Sequence, residues 1–285
     1  MAAPRPGGPD RDTGPVHDPR EGVDPDGCIR TGAHRSRVPA AYEPVVTSLV
    51  SAVAGASGTT PVSLYLYGSV ATGTARVPAS DVDAVTVGLG EDDAAAVSAR
   101  LSEQFAGVCR SVDVGAAQPQ HWSGDGDAAY GNRVFLRHYC AHLTGPDVTA
   151  GWPAFQADAR AARGFNGDLA AHHHRWTNAL DAIDDTHPDA EPAVRALARR
   201  AARKTLLAAA GLVSVRHRTW TTDRAGAAQR LAEDHPPMAG GLMELVAWST
   251  SARAARPDDV RRALDPRGAV HLVVDAFADE IGMWR

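Results

Sequence analysis

Val62-Ser63-Leu64-Tyr65-Leu66-Tyr67-Gly68-Ser69, ten intervening residues, then Ser80-Asp81-Val82-Asp83-Ala84-Val85-Thr86-Val87: this stretch decides the reading of the chain. Its two ends are β-rich runs, and the segment between them is rich in Thr, Gly and Ala, so it reads as strand, turn, loop, strand. Residues two apart on a strand share a face, which sets Asp81 and Asp83 side by side at the start of the second strand. Two close carboxylates repel unless a cation sits between them. A hard divalent ion such as Mg²⁺, which takes a few carboxylates and phosphate oxygens, meets that need. Upstream, Gly68-Ser69 closes the first strand with a missing Cβ and exposed N–H groups, where a phosphate can approach.

A two-metal site needs a third carboxylate on a neighbouring strand. Val108 to Val114 alternates Val108, Arg110, Val112 and Val114 with Cys109, Ser111 and Asp113, which is strand period, and Asp113 lies on the face opposite Val112 and Val114. Between the strands, Asp92 to Phe105 places Val97, Leu101 and Phe105 at helical spacing, one crossover helix. Ahead of the motif, Tyr42, Val45, Val46, Leu49, Val50 and Val53 predict a helix of about four turns, ended by Gly55 and Gly58. A further strand is expected near 133–143. Beyond Gly145-Pro146-Asp147 the sequence turns Ala- and Arg-rich, with helices expected near 154–163, 167–185, 191–215, 223–234, 239–254, 257–264 and 268–282. The fold class is therefore α/β: a small mixed sheet over 39–147, then a helical bundle over 148–285, with no internal repeat.

With these residues in place the chain resembles the nucleotidyltransferase superfamily that includes DNA polymerase β, whose signature is strand, Gly-Ser, short loop, Asp-x-Asp and a later acidic strand residue. Gly68, Ser69, Asp81, Asp83 and Asp113 carry the resemblance, and Gly73 and Ser80 match looser positions. Leu143-Thr144-Gly145-Pro146-Asp147, together with a helical second half, is similar to the aminoglycoside nucleotidyltransferases of the streptomycin/spectinomycin type. The resemblance implies transfer of AMP from ATP, or of another nucleoside monophosphate, to a hydroxyl of a small molecule, an aminoglycoside-type antibiotic foremost, with pyrophosphate leaving. Asp81 and Asp83 would hold Mg²⁺, Gly68 and Ser69 the β- and γ-phosphates. Asp113 would complete the metal site or take the acceptor's proton, a choice left open because relatives often carry Glu there.

Composition bounds the rest. The chain has 285 residues, 44% of them hydrophobic, and a net charge of −5, enough to bury a full core. Residues 1–150 carry 11 Arg against 17 acidic residues, and 151–285 carry 17 Arg and one Lys against 17; neither half has the basic stripe that RNA or DNA requires, and the helical half offers a polycationic drug only a local acidic patch. A biosynthetic intermediate, a protein side chain or an RNA end remains an alternative acceptor. A non-catalytic interaction protein of the antitoxin kind is the alternative class. No apolar run suits a membrane span or a signal peptide, so a cytoplasmic protein, monomer or homodimer, is expected. Cys28, Cys109 and Cys140 are expected as free thiols. Residues 1–38, crowded with Pro, Gly, Asp and Arg, are expected to be a disordered tail.

Lys204 is the only lysine beside 28 arginines. Leu197, Ala201 and Ala208 share its helical face, which aims it inward. Arg200 lies one turn before it on nearly the same side, and two such cations need an anion between them. A triphosphate would be that anion; an aspartate, or an escape to solvent, is the plainer reading. His172-His173-His174 occupy successive helical positions and point three ways, against a metal site. His138 and His142 are expected to pack on a strand. Asp181, Asp184 and Asp185 would share a solvated helix face, and Trp176, Trp220 and Trp248 would be bundle core.

Overall fold

Strand β1 (Ser63–Tyr67) is the axis of a four-stranded mixed sheet of order β3-β2-β1-β4. The structure is a computed structural model and describes residues 22–30, 32–184 and 187–284. Helix α1 (Glu43–Ser57) precedes β1, and the single-turn helix α2 (Gly68–Thr72) follows it directly. Strand β2 (Val82–Val87) returns antiparallel to β1. Helix α3 (Glu91–Gln104) then crosses over to β3 (Val112–Ala117), which runs parallel to β2. Strand β3 begins four residues later than the alternation predicted, because the N–H groups of Val108 and Cys109 turn back to Phe105 O at the end of α3.

One face of the sheet carries Leu64, Leu66, Val82, Ala84, Val112 and Val114, all buried against Val45, Val46, Leu49 and Val53 of α1 and Val97 and Leu101 of α3. The other face presents Tyr65, Tyr67, Asp83, Val85 and Asp113 by the two-residue alternation of the strands.

Helix α4 (Asp127–Tyr139) lies where a strand was expected, and only the four residues of β4 (Ala141–Thr144) pair with β1. The reason is physical: α4 is buried on two sides. Leu136 and Phe135 pack with Tyr65 and Val87 of the sheet, while Val134 belongs to the helical core. A helix sandwiched in this way shows no single apolar stripe, so His138 sits on α4 rather than on a strand. His142 alone lies on β4.

The second half is built on α7 (Ala190–His217), whose Ala198, Ala201, Ala202, Ala208, Ala209 and Ala210 are buried. Small side chains let α5 (Ala159–Asn166), α6 (Leu169–Asp181), α8 (Arg224–Asp234), α9 (Ala239–Ser249) and α11 (Ala269–Glu280) approach it closely; α10 (Pro257–Leu264) lies against α6 and α11. Trp176, Trp220 and Trp248 are in this core as expected. Because α6 ends at Asp181, Asp184 lies beyond it and no helical face joins the aspartates there; Asp185 lies outside the described residues. Among the described residues, no helix is long and apolar enough to cross a membrane, and Cys28, Cys109 and Cys140 are free thiols.

Residues 22–30 and 32–38 correct the expected tail, and the part of that expectation on 1–21 and Thr31 lies outside the described residues. Val23 and Ile29 pair as a miniature hairpin, closed by Asp24-Pro25-Asp26-Gly27, in which the Asp24 carboxylate accepts from the N–H groups of Asp26 and Cys28. Ile29 N–H donates to Phe155 O at 2.9 Å, Gly22 N–H to Trp220 O at 2.7 Å and His34 N–H to Ala71 O at 3.0 Å. Ile29 is 4% exposed within the helical core, whereas Ala33 and Val38 are buried in the sheet core. A few apolar residues and backbone pairing suffice to order a segment whose composition is otherwise that of a loose chain.

Helices α4 and α5 meet backbone to backbone at Gly131 and Gly164. A Cβ built on Gly131 would stand 2.3 Å from Gly164 O, so Gly131→Ala must push the helices apart. Overpacking of this kind costs about 1–3 kcal/mol, more than the roughly 1 kcal/mol that Ala gains over Gly in a helix. We expect the urea midpoint of Gly131→Ala to fall; an unchanged midpoint would show that the two helices separate freely.

Candidate functional site

In the register of the sheet Tyr67 stands opposite Asp83 across β1 and β2, and Asp83 stands opposite Asp113 across β2 and β3. The three sequence-predicted carboxylates therefore meet at one end of the sheet, with Asp81 two residues before Asp83. Gly68 is there for a spatial reason. Its φ is +72°, and a Cβ on it would lie 2.3 Å from Asp83 Oδ2; only glycine lets the turn close over this carboxylate.

Burial pushes the Asp83 carboxyl up to about 6, helped by the charges of Asp81 and Asp113 and opposed by those of Arg203 and Arg110. The same crowd is felt by Tyr67, whose hydroxyl is pushed up to about 12 by burial first and then by Asp83, Cys140 and Asp113. Asp81 is held differently. Arg110 Nε donates to its Oδ1 at 2.8 Å, and Arg110 Nη2 to its Oδ2. The Ser111 hydroxyl lies 3.0 Å from Asp81 Oδ1 and 2.9 Å from Asp113 Oδ2, so its one proton links the two carboxylates in turn.

This donor set fits a hard divalent cation in kind: three carboxylates, one of them, Asp83, half-buried and crowded by the charges of the other two. It is not a closed coordination shell, since Asp81 is turned to Arg110, and among the described residues no three acidic, His or Cys side chains form a ready metal site. Asp83 and Asp113 could take the ion as they stand; Asp81 could join only on leaving Arg110.

Beside Gly68 a cavity of about 420 Å³ opens towards α5, α7 and α8. Its walls include Tyr67, Phe135, Tyr139, Phe165 and Trp220. Tyr67 meets Phe135 edge to face, Phe135 stacks with Tyr139, and Tyr139 meets Phe165 edge to face. Trp220 Nε1 donates to the Tyr139 hydroxyl, which ties the two polar tips to each other and leaves aromatic surface. Among the described residues no carboxylate lines the cavity, but Lys204 and Arg224 do.

Lys204 does point inward from α7. Its Nζ lies 2.7 Å from Asp168 Oδ1 and donates to Phe165 O at 2.9 Å, so in this structure an aspartate is its anion. Sequence reasoning missed the arginines around it. Burial, with the charges of Arg203 and Arg199, holds the Arg224 guanidinium below its ordinary value, and Arg199 Nε is buried without a hydrogen-bond partner among the described residues. Among 28 arginines none stood out; the available signal was Arg199 and Arg203 at i, i+4 on one helix.

Ser69 lines a second cavity of about 240 Å³ on the other side of Gly68, with Thr72, Thr74, Trp220 and Thr222. The segment Leu143–Asp147 is a clasp rather than a ligand site: the Tyr65 hydroxyl donates to Asp147 Oδ1 at 3.0 Å, and Thr149 N–H to the same oxygen at 2.9 Å. The three successive histidines each have a different partner, Asp168, Leu264 O and Asn178. No family model matches the chain, and no curated protein is significantly similar to it.

Proposed function

We propose that this cleft transfers a nucleoside monophosphate, AMP from ATP foremost, to a hydroxyl of a small molecule. The observation that carries the reading is the polarity of the cleft: Asp81, Asp83 and Asp113 crowd one sheet end, and Arg203 on α7, whose charge acts on both Asp83 and Arg224, stands near both. A triphosphate is the anion that eases crowding on the cationic side, and the carboxylates require a divalent cation. Asp83 and Asp113, joined by Asp81, would hold Mg²⁺, which when bound neutralises charge on the transferring phosphate. Gly68 and Ser69 receive the phosphate chain, Lys204, Arg203 and Arg224 flank it, and the aromatic cavity takes the base by stacking.

The acceptor oxygen attacks the α-phosphorus and the bond to pyrophosphate breaks; the acceptor's proton passes to Asp113, more exposed than Asp83, where Asp81 takes its place on the ion, and to water where Asp113 stays a ligand. The two halves are read as a catalytic unit over 39–147 and a helical unit over 148–285 that closes on the nucleotide. An aminoglycoside-type acceptor is the expectation of the resemblance. With no carboxylate among the described residues of the aromatic cavity, such a polycation would have to enter from the Asp113 side.

The test is acceptor-dependent pyrophosphate release by the purified chain with ATP and Mg²⁺, over a panel of aminocyclitols, aminoglycosides, nucleotides and proteins, with mass spectrometry for an added monophosphate. We expect one class to acquire it. ATP binding without release on any acceptor would favour the non-catalytic interaction protein instead.

A further inference from the structure

We propose that residues 22–30 and 32–38 form a wall of the nucleotide site and that Arg30 there is a phosphate-binding residue; the nucleotide as ligand rests on the function proposed above. Three observations carry it. Arg30 lines the 240 Å³ cavity together with Gly68, Ser69, Thr72, Thr74 and Thr222. No carboxylate is among the described residues that line this cavity, and four of them bring Ser or Thr hydroxyls. An arginine beside hydroxyls and a glycine turn is the chemistry of an oxyanion site once its guanidinium reaches into the cavity.

Arg30 is also uncommitted and well placed. It is exposed, and among the described residues its guanidinium makes no hydrogen bond or ion pair, in contrast to Arg35 of the same segment, which pairs with Glu43. Its backbone, however, is fixed. Ile29 beside it is buried in the helical core, Cys28 bridges to Gln156, and the Arg30 N–H donates to Gly22 O at 3.3 Å. Further on, His34 is tied to Ala71 of α2, and Gly73 packs so tightly on Arg37 O that a Cβ would stand 2.9 Å away. The segment thus runs from Trp220 of the helical half to the end of the Gly68–Thr72 turn, and Arg30 is carried between the two anchors. A guanidinium held on a fixed backbone loses less freedom on binding phosphate than one on a loose tail.

Isothermal titration of the full chain with ATP and with inorganic tripolyphosphate, each with Mg²⁺, tests the assignment in wild type, Arg30→Ala and Arg30→Lys. We expect Arg30→Ala to weaken both ligands about tenfold, as for loss of one charged hydrogen bond, with an unchanged melting temperature. Arg30→Lys should recover part of the loss. Unchanged affinities in Arg30→Ala would overturn the assignment, as would a loss matched by a fall in melting temperature, which would make Arg30 structural. Tripolyphosphate binding that depends on Arg30, in a protein that modifies no acceptor, would sustain the phosphate site while removing the transfer reaction.

Discussion

Asp83→Asn is expected to end the proposed nucleotidyl transfer and, in EDTA at pH 8, to raise the melting temperature of the protein. The two effects have one origin. Asp83 is pushed up to about 6 from 3.8 because its charge is buried against Gly68 and repelled by Asp81 and Asp113. A carboxyl that holds its proton more tightly in the folded chain than in the unfolded one weakens the fold wherever it is ionised. That cost is absent below about pH 3.8, grows as pH rises towards 6, and is complete above it. At about 1.4 kcal/mol per pH unit the span is at most about 3 kcal/mol, and solvent screening reduces it. Asparagine keeps the shape and removes the charge, so a gain of a few degrees at pH 8 should vanish towards pH 4. Activity moves the other way, because the same charge is what a divalent cation and phosphate chain need. Loss of mere outer partners of a metal ligand costs 10- to 100-fold, so loss of this carboxylate should exceed about a hundredfold. A variant with wild-type turnover would remove Asp83 from the site, and one that melts lower at pH 8 would contradict the crowding.

The elements around Asp83 were legible because local rules there agree with the tertiary structure. The β1 and β2 runs, the crossover helix with Val97 and Leu101, and the two-residue offset of Asp81 and Asp83 are consequences of period alone. That β2 and β3 run parallel follows once one helix joins them, whereas the register that brings Asp113 level with Asp83 is given by the structure. Helix α4 was illegible because a helix covered by sheet and bundle together buries Val134, Leu136 and His138 at strand-like spacing. Arg224 gave no signal and Arg203 only its i, i+4 spacing from Arg199, for another reason: the bundle determines which arginines come near the cleft, and no spacing encodes the distance from α7 to β2. Lys204 drew attention through its rarity, and its direction was right, yet Asp168, far away in sequence at the start of α6, could not be named as its partner.

Ile29 reverses the expectation that the residues just ahead of α1 are a disordered tail. A chain that begins at Pro39 is expected to melt below one that begins at Gly22, and to bind ATP poorly. Burying an isoleucine is worth about 1.5–3 kcal/mol, and Ala33 and Val38, both buried, add smaller amounts. The truncation also strips the partners of Phe155 O, Trp220 O and Ala71 O and uncovers the core around Phe155. Ordering a backbone costs about 1–2 kcal/mol per residue, so these contacts must together exceed that cost for the segment to stay docked, and the expected result is the direction of the shift. Ile29→Ala isolates the anchor: it should lower the melting temperature by several degrees, the cost of a large-to-small change in a core, and weaken ATP binding as Arg30 loses its fixed backbone. Thermal unfolding of the three chains decides the matter. Equal melting temperatures for the chains from Gly22 and Pro39 would mean that the hairpin of Val23 and Ile29 rests on the bundle without stabilising it.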